Sequence, residues 1–199
     1  MLASIIFGIL ASVLAIITYI FYFYETKKGA TYPNPSTWLI WLLAGLINTL
    51  TYFLVVKGNI YQSLIAITVT LCQFTVFFYA LTKRKFSKIT KIEVFVFTFA
   101  VIIGIYWQIT DNFRVANLAL QLIYLISIIP TVSGLLSGRG KEHYLPWLIV
   151  IFAYISATLS VATNFQGDWL ALAFPVVNGI IVNGVTLAAI LYTNHKRNL

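Results

Sequence analysis

The residues best suited to bind a solute are amide, hydroxyl and phenol side chains that interrupt long apolar stretches of this 199-residue chain. An amide in the middle of an apolar helix is costly in hydrocarbon unless it meets a polar partner or water. Such side chains therefore either contact a solute or form hydrogen bonds that hold helices together. The candidates for solute binding are Asn48, Tyr52, Thr70, Gln73, Gln121, Tyr124 and Asn178.

Asn178 is the first candidate for direct contact, because it lies within the apolar stretch FPVVNGIIV. Asn117, Gln121 and Tyr124 follow one another at i, i+4 and i+7, a spacing that places them on one face of a helix. This stripe lines a solute path or packs against a neighbouring helix, and the sequence leaves both interpretations open.

Pro130 and Pro175 stand well inside apolar stretches. Proline removes a backbone hydrogen bond and bends or loosens a helix. Both positions are candidate gate hinges, and a purely structural kink is the alternative.

The sequence offers no catalytic set. The only histidines, His143 and His195, lie outside the apolar stretches, and Cys72 is the single cysteine. A membrane hydrolase needs a nucleophile with a base or a metal, and a retinal protein needs a lysine in its last helix, which residues 169–192 lack. We expect no enzyme activity, no cofactor and no metal. Proton coupling usually needs a buried acid, and only Glu93 is placed for it.

Composition identifies the environment of these residues. The chain is 60% hydrophobic and 9% charged, with a mean hydropathy of +0.91, whereas soluble domains carry about 25% charged residues. Stretches of about 20 residues that are apolar on all sides predict membrane-spanning helices rather than a β-barrel. The seven predicted spans are Leu2–Tyr24, Thr37–Val56, Ile60–Thr82, Ile92–Ile109, Val115–Leu136, Leu145–Thr163 and Trp169–Tyr192. The first is expected to be a span rather than a signal peptide, since it lacks a basic start.

The net charge of +8 is explained by topology. With the N-terminus outside, only Lys57 and Arg114 of the 13 basic residues lie outside, so the positive-inside rule predicts this orientation with a cytoplasmic C-terminus. We therefore expect no nucleic-acid partner and a place in the cell (inner) membrane. Trp38 and Trp147, near inner helix ends, are expected to anchor the chain at the membrane interface.

An internal repeat is predicted at an offset of 109 residues, the separation of Trp38 and Trp147. The matching segments are Trp38-Leu39-Ile40 with Trp147-Leu148-Ile149, Ala44 with Ala153, Thr49-Leu50-Thr51 with Thr158-Leu159-Ser160, and Gly58-Asn59 with Gly167-Asp168. We expect an all-α integral membrane protein with two parallel three-helix repeats, 1–86 and 112–199, joined by an inverting linker helix in 87–111 (3+1+3). Such repeats commonly enclose a midplane solute site.

The chain resembles the SWEET sugar transporters and the wider PQ-loop group. The resemblance covers nearly the whole chain in topology. In motif it rests on Gly167-Asp168-Trp169 followed by Pro175-Val176-Val177-Asn178-Gly179, and on Tyr124 with Ile129-Pro130-Thr131 before a basic loop. It implies a uniporter that moves a sugar-like solute by alternating access.

The functional expectation is therefore facilitated diffusion of a small polar solute through the lipid bilayer. A non-transporting receptor or scaffold on the same fold is the alternative, as is a vitamin- or nucleoside-type transporter. Whether the chain forms a homo-oligomer stays open.

Overall fold

The structure, a computed structural model, describes residues 1–33, 35–82 and 91–197, without the side chains at 35, 36 and 197. Helix accounts for 85% of it, and the described residues contain no strand. The first six helices are α1 (Leu2–Lys27), α2 (Pro35–Val55), α3 (Ile60–Thr82), α4 (Lys91–Thr110), α5 (Phe113–Leu136) and α6 (Tyr144–Ala162). The seventh span runs from Leu170 to Lys196.

The prediction of seven spans is confirmed, with small differences at the ends. α1 continues to Lys27, three residues beyond the predicted end at Tyr24. Nothing in the sequence breaks the helix before Gly29, whose φ of 72° ends it. The predicted boundary between the first repeat and the linker helix, at residues 86 and 87, lies outside the described residues.

The outer surface of the bundle is apolar, and every helix exposes large apolar side chains. One example from each helix, in chain order, is Leu2, Leu50, Leu71, Ile102, Leu122, Phe152 and Leu191. A soluble monomer rarely exposes contiguous apolar surface on this scale. All seven helices are also long and apolar enough to cross a bilayer. The chain is an integral membrane protein.

The helices pack in a pattern that places α3 and the seventh span in corresponding positions. α3 packs against α1 and α2, and the seventh span packs against α5 and α6. Between these groups, α1 packs against α6 and α2 against α5, while α4 lies at the edge against α5 and α2. An offset of 109 residues maps α1, α2 and α3 onto α5, α6 and the seventh span. The contacts of α3 with α1 and α2 therefore correspond to the contacts of the seventh span with α5 and α6, as the predicted repeat requires. The repeat itself stays a prediction.

The turns before α3 and before the seventh span share two local features. Gly58 and Gly167, which the offset pairs, have φ values of 76° and 80°, a region that glycine occupies without strain. The next residues also correspond: the side chain of Asn59 accepts from the N–H of Tyr61, and that of Asp168 accepts from the N–H of Leu170.

A close contact between two helices occurs at equivalent positions in the two groups, but the glycine lies on a different helix of each pair. In the first, Gly45 of α2 faces Thr70 of α3; in the second, Tyr154 of α6 faces Gly179 of the seventh span. The offset pairs Gly45 with Tyr154 and Thr70 with Gly179. The glycine therefore lies on α2 in the first group and on the seventh span in the second.

Candidate functional site

An amide network joins α2 to α5 and consists of Asn48, Thr51, Asn117 and Gln121. Nδ2 of Asn117 donates to Oδ1 of Asn48 (3.1 Å) and to Oγ1 of Thr51 (3.2 Å). Nε2 of Gln121 donates to the same Asn48 oxygen (3.2 Å) and to the backbone carbonyl of Asn117 (2.9 Å). All four residues are at most 2% exposed. The network brings two predicted site residues, Asn48 and Gln121, into direct contact.

Two amide oxygens in this network have no hydrogen-bond partner among the described residues: Oδ1 of Asn117 and Oε1 of Gln121. The orientation of the amides follows from the backbone, because the Asn117 carbonyl can only accept and therefore faces the nitrogen of Gln121. Asn48 must then present its oxygen to that nitrogen, and Asn117 its own nitrogen to the Asn48 oxygen. An unpaired buried acceptor costs the folded protein about 1–3 kcal/mol of free energy. A bound molecule that donates hydrogen bonds to these oxygens would offset that cost.

A third unpaired amide oxygen, Oε1 of Gln73, lies where α3 meets α2. A Cβ at Gly45 would come within 2.6 Å of this oxygen and 2.9 Å of Oγ1 of Thr70. The Thr70 hydroxyl lies 2.9 Å from the Thr49 hydroxyl. Gly45 thus leaves the space that these polar groups occupy, and the predicted residues Thr70 and Gln73 share one helix contact.

A tyrosine cluster surrounds Phe174 of the seventh span. Ring centroids of Tyr52 (α2), Tyr154 (α6) and Tyr124 (α5) lie 5.0, 5.6 and 6.5 Å from that of Phe174. The four residues are buried, and the Tyr52 hydroxyl donates to the carbonyl of Ala171 (2.9 Å). The predicted residues Tyr52 and Tyr124 therefore meet through a ring that the sequence analysis did not single out.

The seventh span is interrupted by a π-helical segment, Phe174–Val182, which follows the short α-helical Leu170–Ala173 and precedes Asn183–Arg197. Nδ2 of Asn183 donates to the carbonyls of Asn178 (2.9 Å) and Gly179 (2.7 Å). Pro175 is the second residue of the segment and has no N–H to donate. π-helical segments occur often at functional sites, and this one contains both Asn178 and Pro175.

Asn178 itself reaches α6. Its Nδ2 donates to the Tyr154 hydroxyl at 3.4 Å, a long bond, and the residue is 9% exposed. A Cβ at Gly179 would overlap the Tyr154 ring, so this glycine permits the close approach. Asn178 is thus joined to the tyrosine cluster, while no hydrogen bond among the described residues links its side chain to the amide network.

Aromatic rings close the end of the bundle where α2, α4 and α6 begin, called the basic end because Lys27, Lys91 and Lys141 lie there. Ring contacts run from Tyr22 to Trp38 (5.2 Å), from Trp38 to Trp41 (5.2 Å) and from Trp41 to Trp147 (6.2 Å). They connect α1 through α2 to α6. Trp38 and Trp147 are 5% and 6% exposed. The prediction that these two residues are interface anchors is wrong, because their rings pack against other aromatic rings inside the bundle.

Polar contacts close the opposite end. Nε2 of Gln62 donates to the carbonyls of Ser160 (3.4 Å) and Asn164 (3.2 Å), which joins α3 to α6. Arg114 pairs with Asp168 through two hydrogen bonds, one of them 3.1 Å long, and this pairing lowers the pKa of Asp168. The polar side chains described above therefore lie between the ring contacts at the basic end and these polar contacts at the opposite end.

The predicted site residues fall into three neighbouring groups. Asn48 and Gln121 lie in the amide network, Thr70 and Gln73 between α2 and α3, and Tyr52, Tyr124 and Asn178 in or beside the tyrosine cluster. Pro130 lies within α5, which continues through it to Leu136. The candidate list omitted Asn117, Tyr154 and Phe174, although the spacing of Asn117 from Gln121 had indicated a shared face.

Acidic groups that could serve a metal or a proton lie towards the ends. The described residues contain no group of three or more metal-ligating side chains. Glu93, the one acid that the sequence offered for proton coupling, is 2% exposed and accepts from the Thr37 hydroxyl (3.4 Å) near the start of α4. Glu25 on α1 is also buried, and Glu142 in the loop before α6 is half-buried; neither was foreseen from the sequence.

Seven apolar helices around a buried polar interior are compatible with a membrane transporter or a receptor. Comparison with known proteins finds no matching family model, no matching curated protein and no matching solved structure.

Proposed function

We propose that the protein is a membrane transporter that moves a small polar solute by facilitated diffusion. The observation that carries the proposal is the set of three buried amide oxygens without partners, on Gln73, Asn117 and Gln121. A purely structural core leaves few of its buried polar groups without partners. Acceptors left free in the interior favour a molecule that brings hydrogen-bond donors.

The charge distribution supports a neutral solute. Of the five acidic residues in the chain, Glu25, Glu93 and Glu142 lie towards the basic end, and Asp111 and Asp168 lie in turns at the opposite end. The amide network and the tyrosine cluster contain no charged side chain. Free amide oxygens and buried rings suit hydroxyl-bearing molecules, in keeping with the resemblance to sugar transporters.

The route of the solute across the membrane follows from the contacts at the two ends of the bundle. Exchange between sides requires the aromatic rings at the basic end and the Gln62 contacts at the opposite end to open in turn. Pro130 and the π-helical segment at Pro175 are the places where helices can bend. In the proposed orientation the N-terminus lies outside and the basic end faces the cytoplasm of the cell (inner) membrane.

The test is a thermal-shift screen of the purified protein against sugars, nucleosides and vitamins, followed by flux of each hit into liposomes without an ion gradient. Asn178→Ala and Gln121→Met are measured beside the wild type. A compound that stabilises the wild type, enters liposomes and loses both effects in Gln121→Met supports the proposal. Equal behaviour of Asn178→Ala and wild type would make Asn178 a packing residue. Binding without flux would favour a receptor, and neither binding nor flux would overturn the proposal.

A further inference from the structure

The carboxyl group of Glu142 joins the two predicted repeats at the basic end. Oε1 accepts from the hydroxyl of Tyr22 on α1 (3.3 Å), and Oε2 accepts from Nε1 of Trp147 on α6 (3.3 Å). Tyr22 belongs to the first predicted repeat, and Trp147 and Glu142 to the second. Glu142 therefore completes the aromatic closure, since Tyr22 and Trp147 are the two ends of its chain of rings.

Backbone contacts strengthen the same junction. The N–H of Tyr32 donates to the carbonyl of Lys141 (3.0 Å), and the N–H of His143 donates to the hydroxyl of Thr31 (3.1 Å). The loop after α1 is thus tied to the loop before α6 on both sides of Glu142. Opening of the basic end between α1 and α6 requires these bonds to break and exposes the carboxyl group to water.

The half-buried carboxyl group of Glu142 has no cation paired with it among the described residues. Both of its hydrogen bonds are longer than the roughly 2.5–2.9 Å typical of charge-assisted bonds. Ion pairing is found in the described residues only between Arg114 and Asp168. Loss of hydration raises the pKa of Glu142 from its ordinary 4.5 to about 8, although its two hydrogen bonds lower it.

The other titratable groups around Glu142 do not neutralise it. Glu25 lies one turn beyond Tyr22 on α1 and is buried, so it adds an acid rather than a cation. Lys28 lies over the Tyr24 ring (4.0 Å). In the loop itself Lys141 is exposed, and Nδ1 of His143 accepts from the N–H of Leu145.

We propose that Glu142 is a proton-binding site that holds the basic end closed when it is neutral and favours opening when it is charged. In the closed form the carboxyl group is shielded, and in the open form water surrounds it. The closed form therefore binds the proton more tightly, and opening releases the proton to the water on that side. The two effects are reciprocal: protonation of Glu142 favours the closed form, and closing raises the affinity of Glu142 for the proton.

The direction of the pH effect follows from the two pKa values. Below about pH 4.5 both forms are protonated, so proton binding does not distinguish them. Between 4.5 and about 8 the closed form holds a proton that the open form has lost, and rising pH in this window favours the open form. Above about 8 both forms are charged and the effect is complete. The role of Glu142 in opening one end for a solute rests on the proposed transport function.

The first test measures the site directly. The chain has three glutamates, Glu25, Glu93 and Glu142, so carboxyl-¹³C glutamate gives at most three signals in NMR of the protein in nanodiscs. The signal absent from E142Q belongs to Glu142. We expect it to titrate far above the ordinary carboxyl range, towards pH 8. Titration near 4.5 at conditions where the basic end is closed would overturn the proposal.

The second test measures opening without any solute. Spin labels at Lys27→Cys and Arg139→Cys, in a Cys72→Ser background, report the distance between α1 and the loop before α6. We expect a longer distance to gain population as pH rises from below 4.5 to above 8, and we expect E142Q to stay in the short-distance form throughout. Y22F, which removes one bond across the junction, should raise the long-distance population at every pH.

The outcomes separate this inference from the transport proposal. A pH-dependent distance that E142Q abolishes supports the proton site even if no solute crosses the membrane. Solute flux combined with a distance that ignores both pH and E142Q would overturn the proton site and leave transport standing.

Discussion

The contact between α1 and α6 and the contact between α2 and α5 occupy equivalent places under the 109-residue offset, yet they are built from different chemistry. At the first, Gly8 of α1 lies against Ser160 of α6, and the Ser160 hydroxyl donates to the carbonyl of Ser4 (2.7 Å). At the second, the equivalent residues are Asn117 of α5 and Thr51 of α2, joined by a hydrogen bond of 3.2 Å.

The difference separates packing from binding. Glycine and serine let α1 approach α6 closely, which is how small residues stabilise helix pairs in membranes. The amides of the second contact keep two acceptors free. One position in the fold therefore serves tight association in one half and hydrogen-bonding capacity in the other. The proposed solute site lies at the second contact.

The largest expected effect concerns Gly8, which lies where α1 meets both α6 and α3. In Gly8→Ala the new Cβ would overlap the backbone carbonyl of Tyr61 on α3, an atom that cannot rotate away. We expect a loss of about 1–3 kcal/mol, as for overpacked cores, seen as a lower melting temperature in detergent. Gly184→Ala is the matched control, because nothing lies within 4 Å of its Cβ. If both variants melt like the wild type, α1 is not held as closely as described.

A smaller effect is expected where the two predicted repeats cross. Tyr52→Phe removes the hydroxyl that donates from α2 to the carbonyl of Ala171 in the seventh span. The loss of one such bond should cost about 1 kcal/mol, measured by the same melting experiment. Tyr124→Phe keeps a ring beside Phe174 and loses no hydrogen bond recorded among the described residues. Equal destabilisation by the two variants would mean that the Ala171 bond contributes nothing.

The smallest effect concerns the turn before the seventh span. Asp168→Asn places there the amide that Asn59 supplies in the equivalent turn, so the side-chain bond to the next helix is kept. Only the ion pair with exposed Arg114 is lost, and exposed pairs contribute about 0–1 kcal/mol.

The contribution of this ion pair to stability should depend on pH, in a direction set by the pKa of Asp168. Because Arg114 lowers the pKa of Asp168, the contribution is present above the ordinary carboxyl pKa and fades as pH falls through the lowered value. Melting at several pH and salt values checks this. A large, salt-independent loss in Asp168→Asn would show that the two turns are not equivalent.

The membrane class and the seven helices were predictable because they depend on long apolar stretches, whose length and hydropathy are local properties. The match of Gly58-Asn59 with Gly167-Asp168 likewise pointed to the positive φ and the side-chain bond that the two turns share, since both are local features. The shared face of Asn117 and Gln121 also followed from helical periodicity.

Contacts between helices could not be predicted in the same way. Trp38 and Trp147 stand near helix ends, where tryptophan commonly anchors a protein at the interface, but their burial depends on α1, α2 and α6 meeting there. Tyr154 and Phe174 were not distinguished from other aromatic residues of apolar stretches. The shielding of Glu142 arises only when the loop before α6 meets α1, which no local pattern indicates.

The most direct test of the account compares Gln121→Met with Ser12→Ala. The offset pairs these residues, and each has a buried oxygen without a partner, but Gln121 lies in the amide network and Ser12 on α1. Liposome flux of a solute identified by the thermal-shift screen is measured for both variants, with melting temperatures as the control for folding. The account predicts a loss of about tenfold for Gln121→Met, the equivalent of one good hydrogen bond, and unchanged flux for Ser12→Ala. Equal losses in the two variants, or a loss in Ser12→Ala alone, would contradict it.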